Sequence, residues 1–270
     1  MSRSLLALLL VAGLVPVAHA QPARDEAGIA AAFARIVALA HADNVAAALP
    51  LVVCPVAGEA GALVPVPCDP ARLDHRARAE WQLALVHHLF PEETTALRPT
   101  YAVEQEGDMG FHLLLFQDLP AAPYALVSFI DVDGAHLFAE VQVEEELTGV
   151  PPPASVAAAL ERLLASATDP ATTVEAFAPL VVARGDDAER AWRAPADPAR
   201  EDERRFAAEA LDAVRRLAGA GAYEPAGFEV DYEDEGPWHI LFARFGGSEE
   251  PVAFAFLPVG GAFLLGDVDG

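Results

Sequence analysis

The sequence predicts an α+β protein built from two tandem units, each with its helices first and a four-stranded antiparallel meander after them. Three observations lead there. The chain matches itself at an offset of about 128 residues. Within each copy the apolar pattern changes once, from helical spacing to segments rich in β-branched and aromatic residues. Three consecutive prolines, Pro151 to Pro153, stand between the copies.

The self-match is clearest where Asp69 to Leu89 meets Asp197 to Leu217, with ten of twenty-one positions identical. Pro50 to Val53 matches Pro179 to Val182, and Phe111-His112-Leu113-Leu114 matches Trp238-His239-Ile240-Leu241. Ala139-Glu140-Val141 matches Gly266-Asp267-Val268. Several blocks in one order with small gaps read as a duplication. The units are placed at 22–147 and 154–270, and the linker at 148–153, where proline forms a stiff extended spacer.

The first 20 residues read as a secretory signal peptide: Arg3, an apolar run from Leu5 to Val15, and Ala18-His19-Ala20 before Gln21. The run is too short for a membrane span, and no later stretch is long enough. The expected location is periplasmic or secreted.

Each unit opens with a helix. Ile29, Phe33, Ile36, Val37 and Ala40 recur at helical spacing, as do Leu160, Leu163 and Leu164 after a Ser155 cap. A second short helix is expected near Val45 to Val53 and Val174 to Val182. The longest helix is expected to start at Asp69-Pro70 and Asp197-Pro198, the aspartate as cap and proline at the first helical position. Ala79, Leu83, Val86 and Leu89 then share one face. Strands follow at Tyr101 to Glu106, Phe111 to Phe116, Tyr124 to Val132 and Ala135 to Val143, separated by turn residues such as Asp133-Gly134. The second copy repeats them, with turns at Gly236-Pro237 and Gly260-Gly261.

The formal charge is −24, and all 17 basic residues are arginine. Such a chain is repelled by nucleic acid and by anionic membranes. The acidity reads as solubility or salt adaptation, or as a match to a cationic partner.

Helix, helix, a short irregular or hairpin stretch, long helix and four strands resembles the nuclear-transport-factor-two-like (SnoaL-like) cone fold over both copies. The resemblance rests on the order and length of elements. It implies two cone-like units in which helices pack on a curved sheet. That superfamily includes isomerases, dehydratases, hydrolases and many binding modules, so fold alone selects no activity. A cystatin-like or secretion-chaperone-like unit, with a helix across a sheet, is the alternative.

Cys54 and Cys68 are replaced together by Ala183 and Ala196, as expected of a disulfide pair in an exported protein. A redox or metal role is disfavoured, because the spacing is not Cys-x-x-Cys. His87-His88 lie on different helix faces, and Arg215-Arg216 replace them, which reads as a solvated basic face rather than a metal site. Asp131 to Gly134 and Asp267 to Gly270 begin like a calcium loop but lack its further ligands, and read as a hairpin turn and a chain end. No metal site and no cofactor are expected.

His112 and His239 match between copies, and Glu104 and Asp231 match on the preceding strand. With turns centred on Asp108 and Glu235, each acid faces its histidine across two strands. That is the ingredient of an acid–base dyad, or a plain cross-strand polar pair. Phe111, Leu113 and Val103 are placed on the opposite, core-like face. Trp81 and Trp192, with Glu209 and Val64 as counterparts, are candidates for packing between units or lining a pocket, with core filling the favoured reading of Trp81. Arg184, in Arg184-Gly185-Asp186-Asp187, is a candidate ligand contact or a polar turn.

The leading functional expectation is an exported, non-catalytic module that binds a small molecule or a protein. The alternatives are a SnoaL-like enzyme using Glu104/His112 or Asp231/His239, and a structural envelope protein. Ligand identity and oligomeric state are left open.

Overall fold

The computed structural model describes residues 24–57, 63–106, 109–143, 147, 149–185, 187–233 and 236–269. The expected signal peptide, the turn centres Asp108 and Glu235, and Asp186 lie outside them. Among the described residues no helix is long and apolar enough to cross a membrane.

The chain is a mixed α+β fold. It opens with α1 (Glu26–His41), α2 (Val45–Ala48) and a 3₁₀ turn (Leu49–Leu51). A hairpin follows, β1 (Val53–Ala57) and β2 (Leu63–Pro67), then α3 (Leu73–Leu89). The first sheet is β3 (Thr100–Glu106), β4 (Met109–Gln117), β5 (Tyr124–Val132) and β6 (Ala135–Gln142), paired in sequence order. Next come α4 (Ala154–Thr168), α5 (Val174–Phe177) with a 3₁₀ turn (Ala178–Leu180), and α6 (Glu201–Ala220). The second sheet is β7 (Tyr223–Glu233), β8 (Gly236–Phe245), β9 (Val252–Val259) and β10 (Ala262–Asp269), again a meander.

Irregular features recur at matching places in the two sheets. The last strand pair of each carries a β-bulge, at Ala139 and at Gly266. Val52 bridges Phe138 in parallel, and Val181 bridges Leu265 in the same way. Bulges bend a strand and re-aim its side chains.

Helix α1 buries the expected face of Ile29, Phe33, Ile36, Val37 and Ala40. Several helix starts differ from the sequence reading. Ser155 lies inside α4, whose N-cap is Pro153. Asp69 and Asp197 do not cap α3 and α6, which begin at Leu73 and Glu201. Their carboxylates instead accept the amides of Ala71 and Ala199, 2.8 and 3.0 Å away. Asp-Pro there closes an Asx turn, an outlet these residues share with capping. The second helix also ends early, since the β-branched run from Val52 enters a strand. The expected linker is partly packed, with Val150 buried in the first core.

The first core joins α1, α3 and one face of the first sheet through Phe33, Leu83, Val86, Leu114, Phe116 and Val127. The second joins α4, α6 and the second sheet through Leu160, Leu211, Val214, Leu241, Phe254 and Phe256. Helix α3 serves both. Ala77 is fully buried in the second core, and the Trp81 ring meets Phe228 edge-on at 5.1 Å. Arg78 donates to the carbonyls of Val53 and Ala139 and to the Tyr232 hydroxyl, at 3.0, 3.1 and 3.3 Å. Trp81 thus packs between the halves, partly buried against both cores.

Cys54 and Cys68 form the expected disulfide, tying β1 to the end of the hairpin. Among the described residues there are no free cysteines.

Candidate functional site

The hairpin register overturns one sequence expectation. Val103 pairs with His112, and Glu104 with Phe111; Val230 pairs with His239, and Asp231 with Trp238. Each acid is therefore one position out of register and points to the sheet face away from its histidine. Neither Glu104/His112 nor Asp231/His239 is a dyad. Each turn is a residue tighter than a centre at Asp108 or Glu235 assumes. The core side is also reversed: His112 is fully buried, on the face of Val103, Leu114 and Phe116.

His112 has other partners. Its Nδ1 lies 2.8 Å from the Tyr101 hydroxyl, and its Nε2 lies 3.0 Å from Asp131 Oδ2. His136 Nδ1 lies 2.5 Å from Asp131 Oδ1, and His136 Nε2 lies 3.0 Å from Asp25 Oδ2. The Asp25 amide donates to the Tyr101 hydroxyl at 3.3 Å, which closes a ring of contacts. Asp25 is also the N-cap of α1 and accepts from the Gly28 amide at 2.9 Å. The cluster thus fastens the first helix to all four strands of the first sheet.

Local chain geometry sets these positions. Asp133 and Gly134 have φ of 50° and 80°, the left-handed pair of a tight hairpin turn. That turn pairs Asp131 with His136 across β5 and β6. Tyr101, opposite Leu114, is on the same face.

Donor counting gives one consistent arrangement. The Tyr101 hydroxyl donates to His112 Nδ1, His112 Nε2–H donates to Asp131, and a doubly protonated His136 donates to Asp131 and Asp25. Burial disfavours charge on His136, yet its hydrogen bonds with Asp25 and Asp131 outweigh that and hold its pKa above the ordinary histidine value. Burial likewise works against ionised Asp131, but the bonds from His112 and His136 prevail and lower its pKa. The His136 bond, helped by the Gly28 amide, lowers that of Asp25.

The second sheet has none of these partners. His239 sits opposite Phe256 as His112 sits opposite Phe129. Phe228 stands in the register position of Tyr101, Pro258 in that of Asp131 and Phe263 in that of His136. Pro153 replaces Asp25 as helix N-cap. His239 is fully buried, touches Phe228 and Phe263, and has neither ring nitrogen hydrogen-bonded. Burial lowers its pKa to about 4.

Two other sequence candidates do meet. A groove of about 640 Å³ runs between α6, β10 and Arg184, lined among others by Arg205, Phe206, Glu209 and Asp267. The Arg184 guanidinium lies over the Phe206 ring at 5.1 Å and the Trp192 ring at 5.4 Å. Its side chain is 46% exposed, with Asp267 a distant 3.8 Å away. Trp192 adopts φ of 65°, a strained value for a bulky residue, while its ring packs edge-on against Trp238 at 5.1 Å.

The groove exists because α6 lacks a neighbour that α3 has. Arg205, Phe206 and Glu209 hold the helix positions of Ala77, Arg78 and Trp81. In the first half Trp81 meets Phe228 and Arg78 reaches the Tyr232 hydroxyl, both of β7, and Ala77 is buried in the second core. In the second half the same face borders the groove.

The partners of His112 escape a reading of the sequence, because they come from α1, β3, β5 and β6. One signal pointed to part of them: Asp131 and His136 lie symmetrically about the Asp133-Gly134 turn. His87 and His88 are exposed at the end of α3, the His87 ring 4.5 Å from His41. Comparison with protein-family models, curated proteins and solved structures finds no match to this chain.

Proposed function

We propose that this is an exported, non-catalytic binding module of two duplicated cone-like units, and that it holds a small carboxylate-bearing molecule in the groove between α6 and β10. The observation that carries the reading is Arg184. Its guanidinium is fixed between Phe206 and Trp192 and half open to a groove of ligand size. A preset planar guanidinium suits bidentate recognition of a carboxylate. Arg205 offers a second cation, while Asp202, Glu209 and Asp267 suit an amino group on the same ligand. The matched bulges, parallel bridges and element order support the duplication. The N-terminal sequence and the disulfide support export.

Thermal-shift screening of the purified chain against amino acids and aromatic carboxylates tests this. A stabilising hit should be lost in Arg184→Ala. Hits that survive Arg184→Ala would move the site elsewhere. No hit from either class would favour the structural reading of the paired units.

Acid–base catalysis by His112 has one observation in its favour, a carboxylate that orients its imidazole. Full burial, with both ring nitrogens engaged, weighs against it.

A further inference from the structure

The geometry points to a divalent transition-metal site in the first half, with His112 Nε2, His136 Nδ1 and an Asp131 carboxylate oxygen as its ligands. These three groups offer ligand atoms within 4.8 Å of one another. Two imidazoles and a carboxylate suit ions of the zinc, nickel and copper class. Side-chain exposures of 36% at Asp131 and 22% at His136 give an ion a way in and leave room for a further ligand. The Cys54–Cys68–His75 group is no competitor, because its sulfurs are joined in the disulfide.

The outer contacts carry the inference further than the three ligands do. Metal-binding histidines are commonly held by a hydrogen bond at the ring nitrogen facing away from the ion. Both histidines here have that support, His112 from the Tyr101 hydroxyl and His136 from Asp25. Each ring is therefore oriented with its other nitrogen toward Asp131.

The second half separates this from a purely structural network. It builds the same four-stranded meander with Phe228, Pro258, Phe263 and Pro153 at the four partner positions. The fold does not require the cluster, and its four partners are absent together. What remains there, His239, has neither ring nitrogen hydrogen-bonded among the described residues.

Proton balance is simple. His136 gives up the proton on Nδ1 and keeps Nε2–H on Asp25. His112 moves its one proton from Nε2 to Nδ1, where Tyr101 accepts it, so one proton leaves for each ion bound. Acid therefore competes with the ion through His136, in the field of Asp25, Asp131 and His112.

Titration calorimetry of the intact, disulfide-bonded chain with Zn²⁺ and Ni²⁺ tests the site. One ion should bind per chain with Kd of about 1 μM or tighter for at least one of the two metals. His136→Ala and Asp131→Asn, at partly exposed positions, should abolish that binding. Asp25→Asn should weaken it by roughly 10- to 100-fold, and His87→Ala should leave it unchanged. The absorption spectrum of bound Co²⁺ gives a second readout, and should vanish in His136→Ala. Absence of binding to the folded wild type, or binding that survives both His136→Ala and Asp131→Asn, would overturn the proposal.

Discussion

His112 and His239 occupy the same place in their sheets, opposite Phe129 and Phe256, and differ in every polar contact. The first closes a ring of hydrogen bonds; the second lies among aromatic rings with both nitrogens unpaired. One residue type in one position has thus been given two environments.

His239 should make the protein acid-sensitive. Its folded pKa of about 4 lies below the ordinary 6.5. Between these values the unfolded chain binds a proton that the folded chain refuses, so stability falls as pH drops. The full loss is roughly 3 kcal/mol. Urea unfolding of wild type and His239→Leu across this range should show a larger loss in wild type than in the variant. Equal losses in both would remove His239 as the cause.

His136 should act in the other direction. Its folded pKa is raised, so its contribution is fully present below the ordinary value and is lost as pH rises through the raised one. His136→Phe, the residue of the second half, should therefore destabilise more at mildly acid pH than at alkaline pH. The same unfolding series checks this, and a deficit that grows toward alkaline pH would contradict it.

Replacing Cys54 and Cys68 by alanine should keep the fold and lower its stability by about 3 kcal/mol, the entropy of freeing a loop of this size. The second half shows that the fold tolerates the change. Ala183 and Ala196 stand there, and Ala196 N–H still reaches Val181 O at 2.9 Å, as Cys68 N–H reaches Val52 O. Circular dichroism should be unchanged while the urea midpoint falls.

Trp81→Ala should weaken the junction between the halves by about 2–4 kcal/mol. It removes the ring that meets Phe228 and borders both cores. Calorimetry should then show the single transition broaden or split, with ligand binding at the groove retained. An unchanged sharp transition would mean that the halves do not stabilise one another through this contact.

The helices, the meander and the disulfide were legible in the sequence because each rests on local spacing or on a paired substitution. Helix starts were less so, since Asp69 and Asp197 serve an Asx turn as readily as a cap. The histidine cluster was hidden by two things. A one-residue error in the β3–β4 turn reverses the faces of β3 relative to β4, which put Glu104 opposite His112 in place of Val103 and hid Tyr101 on the other face. The other partners, from α1, β5 and β6, lie far along the chain. Trp192 was legible as a tryptophan without a counterpart in the other copy, and Arg184 as part of a polar turn, but the stacking of Arg184 over Phe206 and Trp192 required the fold.

The central claim is that the groove beside Arg184 is a ligand site. Native mass spectrometry of the chain, purified under non-denaturing conditions, tests it most directly. The account predicts a bound small carboxylate on the wild type and none on Arg184→Ala of unchanged stability. An equally occupied Arg184→Ala protein, or a wild type that stays empty even when offered a cell extract of small molecules, would contradict it.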